Sequence, residues 1–66
     1  MTYREARERS GLSLTDAAAA LGVTKAAVSI WESGKGNPLL ENLHKMATLY
    51  GVPVGDLLSN EGDTVN

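Results

Sequence analysis

The stretch from Leu12 to Pro38, LSLTDAAAALGVTKAAVSIWESGKGNP, decides the fold. Ser13 and Thr24 each precede a run of helix-forming residues. Serine and threonine suit the N-cap because their hydroxyl oxygens accept a hydrogen bond from the first helical turn. A glycine follows each run, at 22 and at 34, where a left-handed residue commonly ends a helix. The stretch therefore predicts two short helices, joined by a three-residue turn that contains Gly22.

The second of these helices is predicted to have two unlike sides. On a wheel of about 100° per residue, Val28 and Trp31 fall together on one side. The opposite side carries mostly small residues, namely Lys25, Ala26, Ser29, Ile30 and Ser33. We expect the helix to bury the first side and to present the second as a shallow ridge.

The two helices together meet the packing demands of a helix-turn-helix. Ala18 is small enough for a close crossing, and Gly22 supplies the left-handed conformation of the turn. Val28 and Trp31 supply the inward side of the second helix. Since the second helix of this motif can lie in the major groove of DNA, the pattern indicates DNA binding.

The flanking sequence predicts three more helices. Thr2 and Glu5 have the spacing of a capping box, which starts a first helix over about residues 2–10. Asn37 is expected to cap a fourth helix, with Pro38 at its first position, where the missing N–H is harmless. A short fifth helix follows, so the predicted fold is all-α with five short helices.

The last two helices are expected to complete the core. In the fourth helix, apolar residues recur at spacings of three and four, namely Leu40, Leu43, Met46, Ala47 and Tyr50. The fifth helix contributes Val54, Leu57 and Leu58. Residues 1–59 are predicted to form one domain, and residues 60–66, which are polar and unpatterned, a flexible tail.

Size and composition exclude several classes of protein. The chain has 66 residues and no cysteine, so we expect no deep enzyme cleft, no disulfide and no thiolate metal site. We therefore expect no catalytic residue, no cofactor, no metal and no small-molecule substrate. No apolar run approaches the roughly 20 residues that span a bilayer, and no targeting pattern opens the chain. A cytoplasmic location without a membrane partner is expected.

The net charge of −2 argues mildly against a nucleic-acid partner, since nucleic-acid-binding domains usually carry a basic excess. Within residues 1–59, however, six basic residues balance six acidic ones. Glu61 and Asp63 of the predicted tail account for the net charge of −2. The predicted domain is therefore neutral.

Leu12 to Leu58 resembles the Cro and phage-repressor type of helix-turn-helix domain, also called the xenobiotic-response-element family. The resemblance rests on GLS at 11–13, ALGVT at 20–24, VSIWESGKGNP at 28–38 and LLENLHKMATLYGV at 39–52. It implies a lambda-repressor-like DNA-binding fold and a transcriptional repressor or regulator. The expected partners are double-stranded DNA with an inverted repeat and a second copy of the chain. The exposed apolar residues between 52 and 58 are the expected dimer contact.

The resemblance also implies which residues contact DNA. The recognition helix is about residues 25–33, and its first residues read base edges. Lys25 would donate to guanine, while Ala26 and Ile30 would pack on thymine methyl groups. The turn after the helix would contact phosphate. The full set of implied DNA-binding residues is Thr24, Lys25, Ala26, Ser29, Ile30, Lys35, Gly36 and Asn37.

Two positions depart from the family pattern. Leu14 stands where the family often has glutamine, and Ile30 where it commonly has arginine, lysine or glutamine. Base readout is therefore sparse, and we expect DNA shape to contribute to the choice of sequence.

Arg7 and Glu32 occupy positions that form an ion pair in the family, between the first helix and the end of the third. Such a pair would fix the orientation of the recognition helix. The alternative is two separate solvated charges.

Other interpretations compete with DNA binding. Trp31 could stack on bases, but its wheel position favours core packing. Glu41 and His44 form the E-x-x-H step of carboxylate metal sites, yet such sites need several units on different helices. The alternative function is a protein-interaction module or a toxin–antitoxin subunit with little DNA affinity, which the neutral charge and Ile30 favour.

Overall fold

The structure is a computed structural model that describes residues 1–58; residue 59 and the predicted polar tail, residues 60–66, lie outside the described residues. The described part contains five helices and no strand: α1 (Tyr3–Arg9), α2 (Leu14–Leu21), α3 (Lys25–Ser33), α4 (Leu40–Tyr50) and α5 (Val54–Leu58). The all-α prediction is confirmed. None of these five helices combines the length and the apolar character that crossing a bilayer requires.

The first three helices begin at the caps that the sequence predicts, which are Thr2, Ser13 and Thr24. Each hydroxyl oxygen accepts the backbone N–H three residues later, at 3.0 Å in α1 and α2 and 3.1 Å in α3. Glu5 and Asp16 return a hydrogen bond to the N–H of the cap residue in α1 and α2, at 2.9 and 3.4 Å. Local hydrogen bonds therefore set where these helices start.

The first four helices end in one type of turn. A glycine in the left-handed conformation is followed by a residue whose N–H donates to the carbonyl five positions earlier, which is the Schellman arrangement. That following residue is Leu12, Val23, Lys35 or Val52. The three apolar ones are partly buried against the core, whereas Lys35 is exposed. The turn after α3 therefore lacks the apolar contact that the other three make.

The core lies between all five helices. α2 packs on α3, α4 packs on α5 and α2, and α1 contacts both α3 and α4. The buried apolar residues are Tyr3, Ala6, Ala17, Ala18, Leu21, Val28, Trp31, Leu43, Met46, Ala47, Tyr50 and Leu57. Ala17 and Ala18 are 0% and 4% exposed, so α2 approaches its neighbours through alanine side chains. The predicted place of Ala18 at the crossing agrees with this burial.

α4 begins later than the sequence predicts. The prediction that Asn37 caps a helix starting at Pro38 is wrong, because the backbone stays extended at Leu39 (φ −63°, ψ 156°). The helix starts at Leu40 and has no side-chain cap. The fixed φ of proline, near −65°, fits an extended linker as well as a first helical turn, so a proline does not distinguish the two.

Two leucines predicted to lie in the core are exposed. Leu40 is 62% and Leu58 is 65% exposed. Leu40 lies in the first turn of α4, about 70° from the centre of the buried stripe. Leu58 follows the fully buried Leu57, and adjacent helical residues point about 100° apart. The contribution of α5 to the core therefore comes from Leu57 and the partly buried Val54.

Candidate nucleic-acid interface

The two sides of α3 lie in different environments. Val28 is fully buried and Trp31 is 8% exposed, so both pack into the core. The residues of the opposite side are all exposed: Lys25, Ala26, Ser29, Ile30 and Ser33. The predicted orientation of the helix is confirmed. We call the first four of these residues, 25, 26, 29 and 30, the outer ridge.

A buried ion pair joins α1 to the end of α3. Arg7 Nε donates to Glu32 Oε2 at 2.6 Å, and Arg7 Nη2 donates to Glu32 Oε1 at 3.1 Å. Arg7 Nη1 donates to the backbone carbonyl of Leu12 at 2.9 Å. The hydrogen bond to Glu32 raises the pKa of Arg7 above its ordinary value. Because the two side chains are only 9% and 8% exposed, this predicted pair is a buried, two-point contact between α1 and the end of α3.

The same pair changes the charge seen from outside. Glu32 is the acidic residue of α3, and its carboxylate is enclosed together with Arg7. The charges exposed between residues 24 and 37 are those of Lys25 and Lys35. This segment is therefore locally basic, although the net charge of the whole chain is −2.

The turn before α3 sets the direction in which the helix leaves α2. Gly22 adopts φ 74° and ψ 30°, and the N–H of Val23 donates to the carbonyl of Ala18 at 3.0 Å. Thr24 then caps α3 and is exposed. Accepting the capping bond leaves its hydroxyl proton able to donate outward. The first turn of α3 is thus held firmly at the surface.

The turn after α3 lies beside the outer ridge. The N–H of Lys35 donates to the carbonyl of Ile30 at 3.2 Å. Lys35 and Asn37 are exposed, and Gly36 is partly buried. The structure therefore brings the predicted phosphate-contacting residues next to the predicted base-reading ones.

Arg4 is a candidate that the sequence-based predictions omit. A hollow of about 240 Å³ between α1, the start of α2 and α3 is lined by Arg4, Arg7, Leu14, Ser29, Glu32 and Ser33. Arg4 lies one turn before Arg7 on α1, and this spacing is the signal that could have found it. It also pairs with Glu8 at 3.2 Å, with both side chains mostly exposed. Leu14, where the family pattern often has glutamine, is partly buried against the core.

Comparison with known proteins decides the family. A family model described as helix-turn-helix matches residues 4–57. The chain belongs to the helix-turn-helix family. The predicted resemblance is thereby confirmed, and the five-helix architecture agrees with it.

This helix-turn-helix chain is similar to several curated regulators. It is 44% identical over 55 residues to the HTH-type transcriptional regulator DdrOP3 of Deinococcus deserti. These 55 residues are 83% of the chain and 43% of that relative. It is 42% identical over 55 residues to the HTH-type transcriptional activator BcrR of Enterococcus faecalis, covering 80% of the chain and 27% of that relative. It is 32% identical over 63 residues to the cryptic phage CTXphi transcriptional repressor RstR of Vibrio cholerae, covering 96% of the chain and 57% of that relative. The chain therefore spans between 27% and 57% of the length of these relatives.

Proposed function

We propose that this helix-turn-helix domain binds double-stranded DNA in a sequence-specific manner, with α3 in the major groove, and thereby regulates transcription. The observation that carries the proposal is the arrangement of α3, whose inner side is anchored while its outer ridge is exposed. The relatives named as a regulator, an activator and a repressor support a regulatory role. The domain acts by binding, not by catalysis, and in the cytoplasm.

Base recognition is assigned to the outer ridge. The ammonium group of Lys25 suits guanine O6 and N7, and the methyl groups of Ala26 and Ile30 suit the thymine methyl group. Ser29 and Thr24 have hydroxyl groups that can donate to bases or phosphates at either end of this surface. With one cation among mostly small residues, the ridge reads few bases directly, so DNA shape supplies part of the specificity.

Phosphate contact is assigned to the turn after α3. Lys35 supplies a charge, while Gly36 and Asn37 supply backbone N–H groups close to the DNA strand. Arg4, exposed beside the hollow that Ser29 and Ser33 line, is added as a phosphate contact on the other side of α3. Lys25 and Lys35 give the neutral domain a basic face toward DNA, and Arg4 adds a third cation when it exchanges Glu8 for a phosphate.

We assign a homodimer as the binding form. Two copies of α3 about 34 Å apart would meet successive major grooves, which requires an inverted repeat in the DNA. Within the apolar segment 52–58, Val52 and Val54 pack partly onto the core of their own chain. Leu58, 65% exposed, is therefore the apolar side chain of this segment assigned to the contact with the second copy.

The experiment that tests the proposal is a salt titration. Duplexes are selected from a random pool at low salt, and affinity is then measured by fluorescence anisotropy at several salt concentrations. Phosphate contact predicts that log affinity falls linearly with log salt. Lys35→Ala should weaken binding to all duplexes alike and reduce the salt slope by about 1.

Lys45→Ala is the matched control for Lys35→Ala, because Lys45 is an exposed lysine on α4 with no assigned DNA contact. It should change the salt slope much less. Failure to select any duplex at low salt would end the proposal.

A protein-interaction module is the second candidate function. The large apolar side chains that are exposed in the described part of the chain favour it, namely Ile30, Leu39, Leu40 and Leu58. A module that binds another protein through such residues would be almost indifferent to salt. The same titration therefore separates the two functions.

A further inference from the structure

The backbone carbonyl of Ile30 is where α3 and the following turn are joined. It accepts the N–H of Gly34 and, at 3.2 Å, the N–H of Lys35. It also accepts the hydroxyl of Ser33 at 2.9 Å. Three donors thus converge on this one acceptor, so the turn is hydrogen-bonded directly to residue 30.

The side chain of Ile30 makes a second connection to the same turn. A β carbon placed on Gly36 would lie only 3.0 Å from the γ2 methyl group of Ile30. That methyl group therefore occupies the space into which a side chain at residue 36 would point. Few real β carbons tolerate so short a contact, so the methyl group lies close against the Gly36 backbone.

The conformation of Gly36 does not explain why a glycine stands there. Among residues 1–58, the glycines with positive φ are Gly11, Gly22, Gly34 and Gly51, and Gly36 is not one of them. Alanine would therefore fit the backbone of residue 36, and the obstacle is the γ2 methyl group of Ile30. Residues 30 and 36 are thus a matched pair, a β-branched side chain against a residue without one.

We infer that Ile30 is a positioning residue, whose γ2 methyl group and carbonyl hold the turn of Lys35 and Gly36 in the place from which it contacts phosphate. The inference rests on the proposed DNA-binding function. It gives residue 30 a role beyond the thymine contact assigned above, because the γ2 methyl group points at the turn. Ile30 stands where the family commonly has arginine, lysine or glutamine. In this chain it would serve the phosphate contact indirectly, by holding the turn.

Two substitutions at residue 30 separate positioning from base reading. Ile30→Val keeps the γ2 methyl group and removes the terminal δ1 carbon. Ile30→Leu keeps the number of atoms and removes the β-branch. Positioning through the γ2 methyl group predicts that the turn of Lys35 and Gly36 keeps its wild-type position in Ile30→Val and loses it in Ile30→Leu.

The first readout needs no DNA. Amide hydrogen exchange of Lys35 in the free domain reports how well its N–H stays bonded to the carbonyl of Ile30. We expect exchange to accelerate by up to about fourfold in Ile30→Leu, the fold-change that corresponds to losing one fully buried methyl group, and to stay unchanged in Ile30→Val. Equal exchange in the two variants would overturn the inference.

The second readout is affinity over several duplexes and salt concentrations. Ile30→Leu should lower affinity for all duplexes by up to about fourfold and reduce the salt slope. Ile30→Val should keep the salt slope of the wild type and lose affinity at no more than the one base pair that the δ1 carbon contacts. A loss in Ile30→Val confined to one base pair, with Ile30→Leu intact, would show base reading and overturn the inference. Absence of any salt-dependent binding by the wild type would instead refute the proposed function. The amide exchange of Lys35 would still test whether Ile30 holds the turn.

A substitution at residue 36 completes a double-mutant cycle with residue 30. Gly36→Ala alone should lower affinity and accelerate Lys35 exchange, because its β carbon meets the γ2 methyl group. In the Ile30→Leu background the space is empty, so Gly36→Ala should add little. Strict additivity of the two substitutions would contradict the pairing of these residues.

Discussion

The two sides of α3 differ in what they do for the molecule. The inner side is closed by Val28 and Trp31 and by the paired Glu32. The outer ridge is exposed along its length and contains no side chain larger than Ile30 and Lys25. The inner side therefore sets where the helix lies, and the outer ridge sets what it can contact. Stability and recognition should thus respond to different substitutions in the same nine-residue helix.

The largest expected effect comes from the centre of the inner side. Trp31→Ala should lower the free energy of unfolding by about 3 to 5 kcal/mol, since it leaves a large cavity in the core. Ser29→Ala, an exposed position on the outer ridge, should change it by less than about 0.5 kcal/mol. Urea unfolding of both variants measures the difference. Similar losses in the two variants would contradict the division of α3 into two sides.

A comparable effect is expected from the buried ion pair. Glu32→Ala leaves Arg7 buried without its carboxylate and should lower stability by about 3 to 5 kcal/mol. Glu8→Ala breaks the exposed Arg4 pair, whose side chains are 68% and 56% exposed, and should lower it by only about 0.3 to 0.5 kcal/mol.

A double variant shows what the buried pair is for. Replacing both partners, as Arg7→Met with Glu32→Leu, should recover most of the stability because no buried charge remains. Reduced DNA affinity in that stable variant would show that the pair orients α3. Full affinity would assign the orientation to Val28 and Trp31 alone.

The outer ridge should show the reverse behaviour. Lys25→Ala should weaken DNA binding by about 1 to 3 kcal/mol at one base-pair position and leave the unfolding free energy within about 0.5 kcal/mol of the wild type. Binding to a set of single-base variants of the selected duplex measures the first, and urea unfolding the second. A uniform loss over all duplexes would move Lys25 from base contact to phosphate contact.

The smallest effect extends the comparison from α3 to α4. α3 has a threonine cap, whereas α4 starts after Leu39, which makes no capping hydrogen bond and is 71% exposed. Leu39→Ser should therefore raise stability by about 1 kcal/mol, and Thr24→Ala should lower it by a similar amount. For a domain of this size, each shift corresponds to about 4 to 8 °C in the melting temperature. An unchanged melting temperature in Leu39→Ser would show that the hydroxyl does not reach the first turn.

Sequence reasoning located α1, α2 and α3 because their ends are local features. A cap and a glycine act within a few residues, so Thr24 and Gly34 are enough to delimit α3. The start of α4 was missed because Pro38 fits an extended linker equally well. Leu40 and Leu58 were missed because periodicity shows which residues share a side but not how far the neighbouring helices cover it.

Contacts between residues far apart in the sequence can be predicted from the sequence only in part. The pairing of Arg7 with Glu32, 25 positions apart, came from resemblance to a family and from no local pattern. The third partner of Arg7, the carbonyl of Leu12, has no sequence signal because every residue has a carbonyl. The fit of Ile30 against Gly36 was also missed, since a glycine in a turn is ordinarily explained by its backbone.

Under the proposed function, Lys35 serves DNA contact at the expense of stability. Three of the four Schellman turns close on an apolar residue, and the turn after α3 closes on Lys35. A leucine or valine at this position would extend the pattern of the other turns. It should raise the melting temperature of the domain and lower its affinity for DNA. Variants selected in the laboratory for thermostability alone should therefore be among the first to lose Lys35.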